Sequence, residues 1–227
     1  TAEELQSLDL RGVELGVLSA CETGRGELAA GEGVLGLSRA LAVAGARGFM
    51  LSLWKVPAAQ TRDKSAVSPE QMVALCNEFR PEFDFILIDC PAGIEQGFRN
   101  AIAGADSVLL VTTPEVAAVR DADRIIGLVE SAGKGPARLI LNRIRPSMVK
   151  RGDMLSTEDV LEILAVELIG IVPDDEAIIV HANRGQPVAL DNHSPSGQAF
   201  RNIAQRLLGN DVPFLPLKDD EGFLSKL

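Results

Sequence analysis

The chain has 227 residues, with 22 Lys plus Arg against 32 Asp plus Glu and a formal net charge of −10. This length buries a sizeable core in one large or two small domains. The acidity argues against general nucleic-acid binding, because a phosphate backbone needs a positive surface.

The 46% of apolar residues include 8 Phe, 1 Trp and no Tyr, so the core is mainly aliphatic. Cys21, Cys76 and Cys90 are widely spaced, suit neither a disulfide framework nor a metal site, and point to a reducing compartment. No apolar run approaches the roughly 20 residues of a spanning helix. Thr1-Ala2-Glu3-Glu4 has neither the basic region nor the apolar stretch of a targeting peptide.

Residues 13–19 read as a strand, 32–46 as an amphipathic helix and 48–54 as a second strand. Residues 57–69 are polar, without apolar periodicity, and read as a connection. Ser68 then offers an N-cap, and Pro69 a first-turn proline, for a helix over 69–79. A buried strand over 83–88 ends at Asp89. Further strands follow at 107–112, 138–142 and 168–172, alternating with helices over 97–103, 116–131, 157–166 and 198–208. Near-continuous apolar strands separated by helices predict an α/β fold, a mostly parallel sheet with helices on both faces.

The most informative stretch is Phe85-Ile86-Leu87-Ile88-Asp89-Cys90-Pro91-Ala92-Gly93. Phosphate-binding α/β enzymes hold Mg²⁺ with a carboxylate at the end of such a strand, and Gly93 lets the backbone approach a terminal phosphate. A plainer reading makes Asp89 a cap for the next helix.

Other strings flank it in order. They are Pro57-Ala58-Ala59-Gln60-Thr61-Arg62-Asp63-Lys64, Val111-Thr112-Thr113-Pro114-Glu115-Val116 and Val119-Arg120-Asp121-Ala122-Asp123-Arg124. Then come Leu141-Asn142-Arg143-Ile144-Arg145-Pro146 and Ile171-Val172-Pro173-Asp174-Asp175. From about Pro57 onward this series resembles the MinD family, deviant-Walker ATPases that place the division site in bacteria and chloroplasts. The wording is nearest to cyanobacterial and plastid members.

The resemblance implies a P-loop NTPase-like sheet, here incomplete, with ATP and Mg²⁺ as cofactors. It makes Asp89 the Walker B carboxylate, acting on Mg²⁺ through water, and Pro91, Ala92 and Gly93 the switch segment near the γ-phosphate. Asn142 would meet the adenine edge with Arg143 beside it, and Pro173, Asp174 and Asp175 would line the base. Glu115, Arg120 and Asp121 lie where the family forms its ATP-dependent homodimer and meets the Min-system division regulators. Ordinary alternatives are a strand-ending Asn142 and a solvated helix face at Arg120 to Arg124.

The last residues, with Phe223, Leu224, Lys226 and Leu227, resemble the start of the family's membrane-targeting helix. Two turns with one base, preceded by Asp219, Asp220 and Glu221, bind an anionic surface weakly or need dimer avidity. The resemblance implies a location in the cytoplasm or plastid stroma, or peripherally on the inner membrane.

The family's P-loop requires Gly-Lys followed by Ser or Thr. Gly133-Lys134-Gly135 holds the only Gly-Lys pair in these residues, so Walker A is missing from them. ATP binding is therefore expected to be impaired, and a docking role independent of nucleotide fits the residues best.

The first part differs. Val17-Leu18-Ser19-Ala20-Cys21-Glu22-Thr23-Gly24 enters a Gly-rich loop. Gly31-Glu32-Gly33-Val34-Leu35-Gly36-Leu37, Ala44-Gly45-Ala46-Arg47 and Leu51-Ser52-Leu53-Trp54-Lys55-Val56 follow. Over about 8–56 this resembles the C-terminal half of a CHAT domain, a caspase-like peptidase fold with a βαβ unit. The resemblance makes Cys21 a thiol nucleophile whose His is not in this segment, and His181 and His193 belong to the second part. The simpler reading is an inactive remnant. Glu22, Glu27 and Glu32, against Arg25 alone, disfavour the Gly-rich loop as a substitute phosphate loop.

The expected divisions are a CHAT-like 1–56, a MinD-like 57–212 without its P-loop, and a tail over 213–227. The alternatives to division-site placement are a CHAT-type cysteine peptidase fragment and a non-functional fusion or fragment. An exposed sheet edge would make the last aggregate.

Overall fold

A computed structural model describes residues 16–18, 48–52, 68–90, 94 and 96–216. The chain divides into two compact units, residues 1–106 and 107–227. The helix expected over 32–46 lies outside the described residues, as does most of the connection before Ser68.

In the first unit β1 (Gly16–Leu18), β2 (Gly48–Ser52) and β3 (Phe85–Asp89) form a parallel sheet in that order. β2 runs beside β3 in unbroken register from Gly48 opposite Phe85 to Ser52 opposite Asp89. The strand that ends at Asp89 is thus paired with one from the N-terminal, differently patterned part.

The helix α1 (Pro69–Phe79) starts at Ser68, as its sequence dictates. The Gln71 backbone N–H donates to Ser68 Oγ at 3.2 Å and the Ser68 N–H donates to Gln71 Oε1 at 2.8 Å, a reciprocal capping box. Met72, Cys76 and Phe79 recur at helical spacing and are buried. Met72 and Cys76 pack with Ile88 of β3. The helix α2 (Gln96–Gly104) ends in a glycine where a Cβ would come within 2.7 Å of Cys76 Sγ.

In the second unit β4 (Val108–Thr112), β5 (Ala137–Ile144) and β6 (Glu167–Pro173) form a second parallel sheet in that order. The helices are α3 (Val116–Ser131), α4 (Pro146–Arg151), α5 (Thr157–Leu164), α6 (Glu176–Asn183) and α7 (Pro195–Leu207), with a 3-10 turn at Val188–Leu190 between the last two.

The two-residue period of β5 explains the layering. Leu139 and Leu141 pack with Val119, Ala122 and Ile126 of α3 and with Val160 and Leu164 of α5. Ile140 points the other way, to Ile169, Val172 and, from α7, Ala199 and Ile203. Helices cover both faces of this sheet, and the α/β, parallel expectation holds.

β6 contains an extra residue. Leu139 pairs with Leu168 but Ile140 pairs with Gly170, so Ile169 is skipped in the ladder. Gly170 is then pressed against α7, where a Cβ would lie 2.4 Å from Ile203 Cγ1.

Several boundaries differ from expectation. α5 stops at Leu164 because Ala165 adopts a left-handed conformation, φ 50°, and caps it. α7 begins at Pro195, three residues early, because Ser194 caps it through the Gly197 N–H at 3.0 Å. α4 and α6 were not anticipated. α4 has 6 residues and none buried, too short for a period to show.

Candidate functional site

The ends of β5 and β6 carry Asn142, Arg143, Pro173, Asp174 and Asp175, and the fold brings them together. Crevices at the carboxyl ends of parallel strands are where such sheets bind ligands. Leu141 pairs with Ile171, yet Ile144 pairs with Pro173, so β5 spends three steps where β6 spends two. Arg143 absorbs the difference with φ 59°. A left-handed non-glycine residue costs about 1–2 kcal/mol and needs its surroundings to hold it.

Those surroundings are visible. The Arg143 N–H donates to Asn142 Oδ1 at 3.0 Å, and the Asp174 N–H donates to Ile144 O at 3.0 Å. Asp174 receives two guanidinium groups. Arg143 Nε lies 3.4 Å from Oδ1, and Arg145 binds the other oxygen. With Asn142 Oδ1 committed to the backbone, its amide nitrogen is the donor that can face a ligand.

Asp175 is the more deeply held carboxylate. Its Oδ1 accepts from the Ala177 N–H at 2.8 Å and caps α6. Its Oδ2 accepts from Ser194 Oγ at 2.7 Å, Ser196 Oγ at 2.8 Å and the Ser196 N–H at 3.2 Å. Burial raises the pKa of Asp175, but these hydrogen bonds outweigh it and leave the pKa below the usual value. One carboxylate thus ties the starts of α6 and α7 to the loop after β6.

Beside this loop is a cavity of about 570 Å³, lined by Glu115, Arg143, Arg145, Met148, Met154 and Asp174 among others. Leu155 closes toward the end of β4 through its N–H to Pro114 O at 3.3 Å. Glu115 therefore shares a cavity with Arg143 and Asp174. Arg120 and Asp121 do not line it. They lie on the exposed face of α3, where Arg124 reaches Asp121 at 3.9 Å.

Asp89 ends β3 in the first unit, and burial raises its carboxyl pKa. Burial, then the neighbouring Asp89, raises the Cys90 thiol. A single hard oxygen ligand at a strand end suits Mg²⁺ that keeps most of its waters. Among the described residues no group of three or more His, Cys, Asp or Glu could hold a metal ion. No described helix is long and apolar enough to cross a membrane. Cys21, Pro91, Ala92, Gly93, Phe223, Leu224, Lys226 and Leu227 lie outside the described residues.

Arg145, Ser194 and Ser196 were missed from the sequence. Arg145 stood inside a quoted string without a role. Ser194-Pro195-Ser196-Gly197 has the form of a helix N-cap followed by a first-turn proline, a signal that could have found the serines.

The family model of the CHAT domain matches residues 1–63. The septum site-determining protein MinD of Synechocystis sp. is 55% identical over 161 residues, 70% of this chain and 60% of that protein. MinD of Escherichia coli K12 is 41% identical over 186 residues, 78% of this chain and 69% of that protein. The structure of the MinC:MinD cell division protein complex of Aquifex aeolicus aligns with TM-score 0.64 at 44% identity, over 67% of this chain and 63% of that one. The chain spans roughly three fifths of the length of the first curated relatives it matches, 60%, 66% and 61%. With its MinD-like strands, base-loop residues and these relatives in agreement, the chain belongs to the MinD family.

Proposed function

We propose that this chain acts in division-site placement. The family activity is ATP binding and hydrolysis with ATP-dependent dimerisation and membrane recruitment. Here it would work mainly as a docking protein whose nucleotide binding is impaired. The observation that carries this reading is the meeting of Asn142, Arg143 and Asp174 at the ends of β5 and β6, beside a chain that holds no Gly-Lys-Ser or Gly-Lys-Thr. The base side of a nucleotide site is furnished, while the phosphate-binding loop is missing from these residues.

When bound, Mg²⁺ and ATP would supply phosphoryl chemistry. Asp89 would hold the ion through water, and Asn142 would donate to the base. Glu115, beside the cavity, with Arg120 and Asp121 on α3, forms the candidate surface for a second copy or for a Min-system regulator. The MinC bound to Aquifex MinD supports that assignment. Calorimetry with ATP and Mg²⁺ on the monodisperse chain tests it. Weak or undetectable binding is expected. Micromolar binding that Asp89→Ala abolishes would mean that another segment has rebuilt the phosphate site.

A second reading rests on the match of residues 1–63 to the CHAT domain. It makes Cys21 a nucleophile, and it requires an imidazole within hydrogen-bond reach. Thiol-directed labelling of Cys21 at neutral pH would then be fast, and Cys21→Ala would remove any peptidase activity while leaving calorimetry with ATP unchanged.

A further inference from the structure

The end of α7 reverses the chain. Gly209 adopts φ 85°. The Asn210 N–H reaches Gln205 O at 3.0 Å and the Gly209 N–H reaches Arg206 O at 3.0 Å. This paired closure turns the following segment back toward the helix it has just left.

Arg206 meets that segment. Its Nε donates to Val212 O at 2.9 Å, and its guanidinium carbon lies 4.0 Å from the centre of the Phe214 ring. Its Nη1 donates to Ile169 O at 2.8 Å. Ile169 is the residue that the ladder between β5 and β6 skips, so Arg206 takes up the acceptor of the bulged residue. Leu215 adds an apolar contact to the cluster of Ile140, Ile169, Val172, Ala199 and Ile203.

One side chain therefore links three elements: the helix, the bulged strand and the returning tail. Its planar fork suits this task, since its donors point in fixed directions and the flat face stacks on the ring. Burial lowers the guanidinium pKa, with Asp211 opposing, and the group stays charged. Its Nη2 is buried without a hydrogen-bond partner among the described residues. An arginine held with a donor unsatisfied is stabilised by its other contacts.

We propose that Arg206 is the pin of a strap. Residues 211–216 fold back across the bulged strand β6, occupy the acceptor at Ile169 and cover the apolar cluster with Leu215. The strap fixes the position of residue 216, from which the rest of the chain continues. It also keeps the skipped carbonyl from recruiting a foreign strand.

Chymotrypsin cleavage of the Phe214–Leu215 bond, followed by mass spectrometry on the full chain, tests this. Circular dichroism melts establish that each sample is folded. Arg206→Lys keeps the charge and loses the fork, and Leu215→Ser loosens the strap at its far end. Both should raise cleavage at that bond roughly tenfold, with little change in melting midpoint. Equal rates in the parent and both folded variants would overturn the strap. An increase confined to Leu215→Ser would remove Arg206 as its pin. If Arg206→Lys does not fold, Leu215→Ser decides alone, and an unchanged rate sinks the proposal.

Discussion

Arg143 and Asp175 carry the local decisions at the candidate site. Asp175 accepts four hydrogen bonds from three residues, so its loss strands Ser194 and Ser196 and removes a helix cap. Asp175→Ala should lower the unfolding free energy by about 2–3 kcal/mol, read from urea titrations. The pH dependence follows from the direction of its shift. The folded pKa lies below the unfolded one. The stabilisation is therefore fully present above the unfolded value of about 3.9 and is lost as pH falls through the folded value. The stability gap between the parent and Asp175→Ala should be level above pH ~5 and close in stronger acid. A gap that widened in acid would contradict this assignment.

Asn142, Arg143, Pro173, Asp174 and Asp175 were legible through ordered resemblance, because the strings around them survive intact. Their mutual geometry was not. The left-handed turn at Arg143 belongs to a mismatch between two strands, and no single strand's pattern records a mismatch. Arg145 and the two serines act through partners 29, 19 and 21 residues away in the chain, which local patterning does not see.

At the level of elements, the apolar runs and caps were the readable part. Ser68 and Pro69 started α1 where the sequence put it. α7 was read as starting late because Pro195, Ser196 and Gly197 are small or polar residues, although Ser196 and Gly197 are buried. Their burial reflects contact with the preceding turn. A Cβ at Gly197 would lie 2.4 Å from Val188 O and 2.7 Å from Asp191 O. Both are backbone atoms, which move less readily than a side chain.

Gly197→Ala should therefore destabilise by about 2–4 kcal/mol, and pairing it with a smaller neighbouring side chain should not rescue it. Gly170→Ala offers the contrast, since its obstacle is the Ile203 side chain. It should lose about 1–3 kcal/mol alone. Gly170→Ala combined with Ile203→Val should recover part of that in urea unfolding, a non-additivity expected of neighbours. Additive losses would place the strain elsewhere.

For the whole molecule, the charge of −10 limits non-specific association, while sheet edges promote it. β3 is the outer strand of its three-stranded sheet, and Phe85 is 46% exposed. Deleting residues 1–63 would remove β1 and β2 and leave β3 unpaired on both sides. The shortened chain should aggregate, with light scattering rising at concentrations where the parent is monodisperse. A monodisperse product would show that the pairing is dispensable.

The pairing of β2 with β3 also bears on how this chain is inherited. The CHAT match ends at residue 63, whereas the compact units divide between Asp106 and Ser107. Ancestry changes hands inside one hydrogen-bonded sheet, with Ser52 from one lineage opposite Asp89 from the other. Recombination at the ancestral seam would cut a ladder in two, whereas recombination near residue 106 would pass between folded bodies. The two histories are therefore bound to travel as one heritable piece, and selection on either half acts on both.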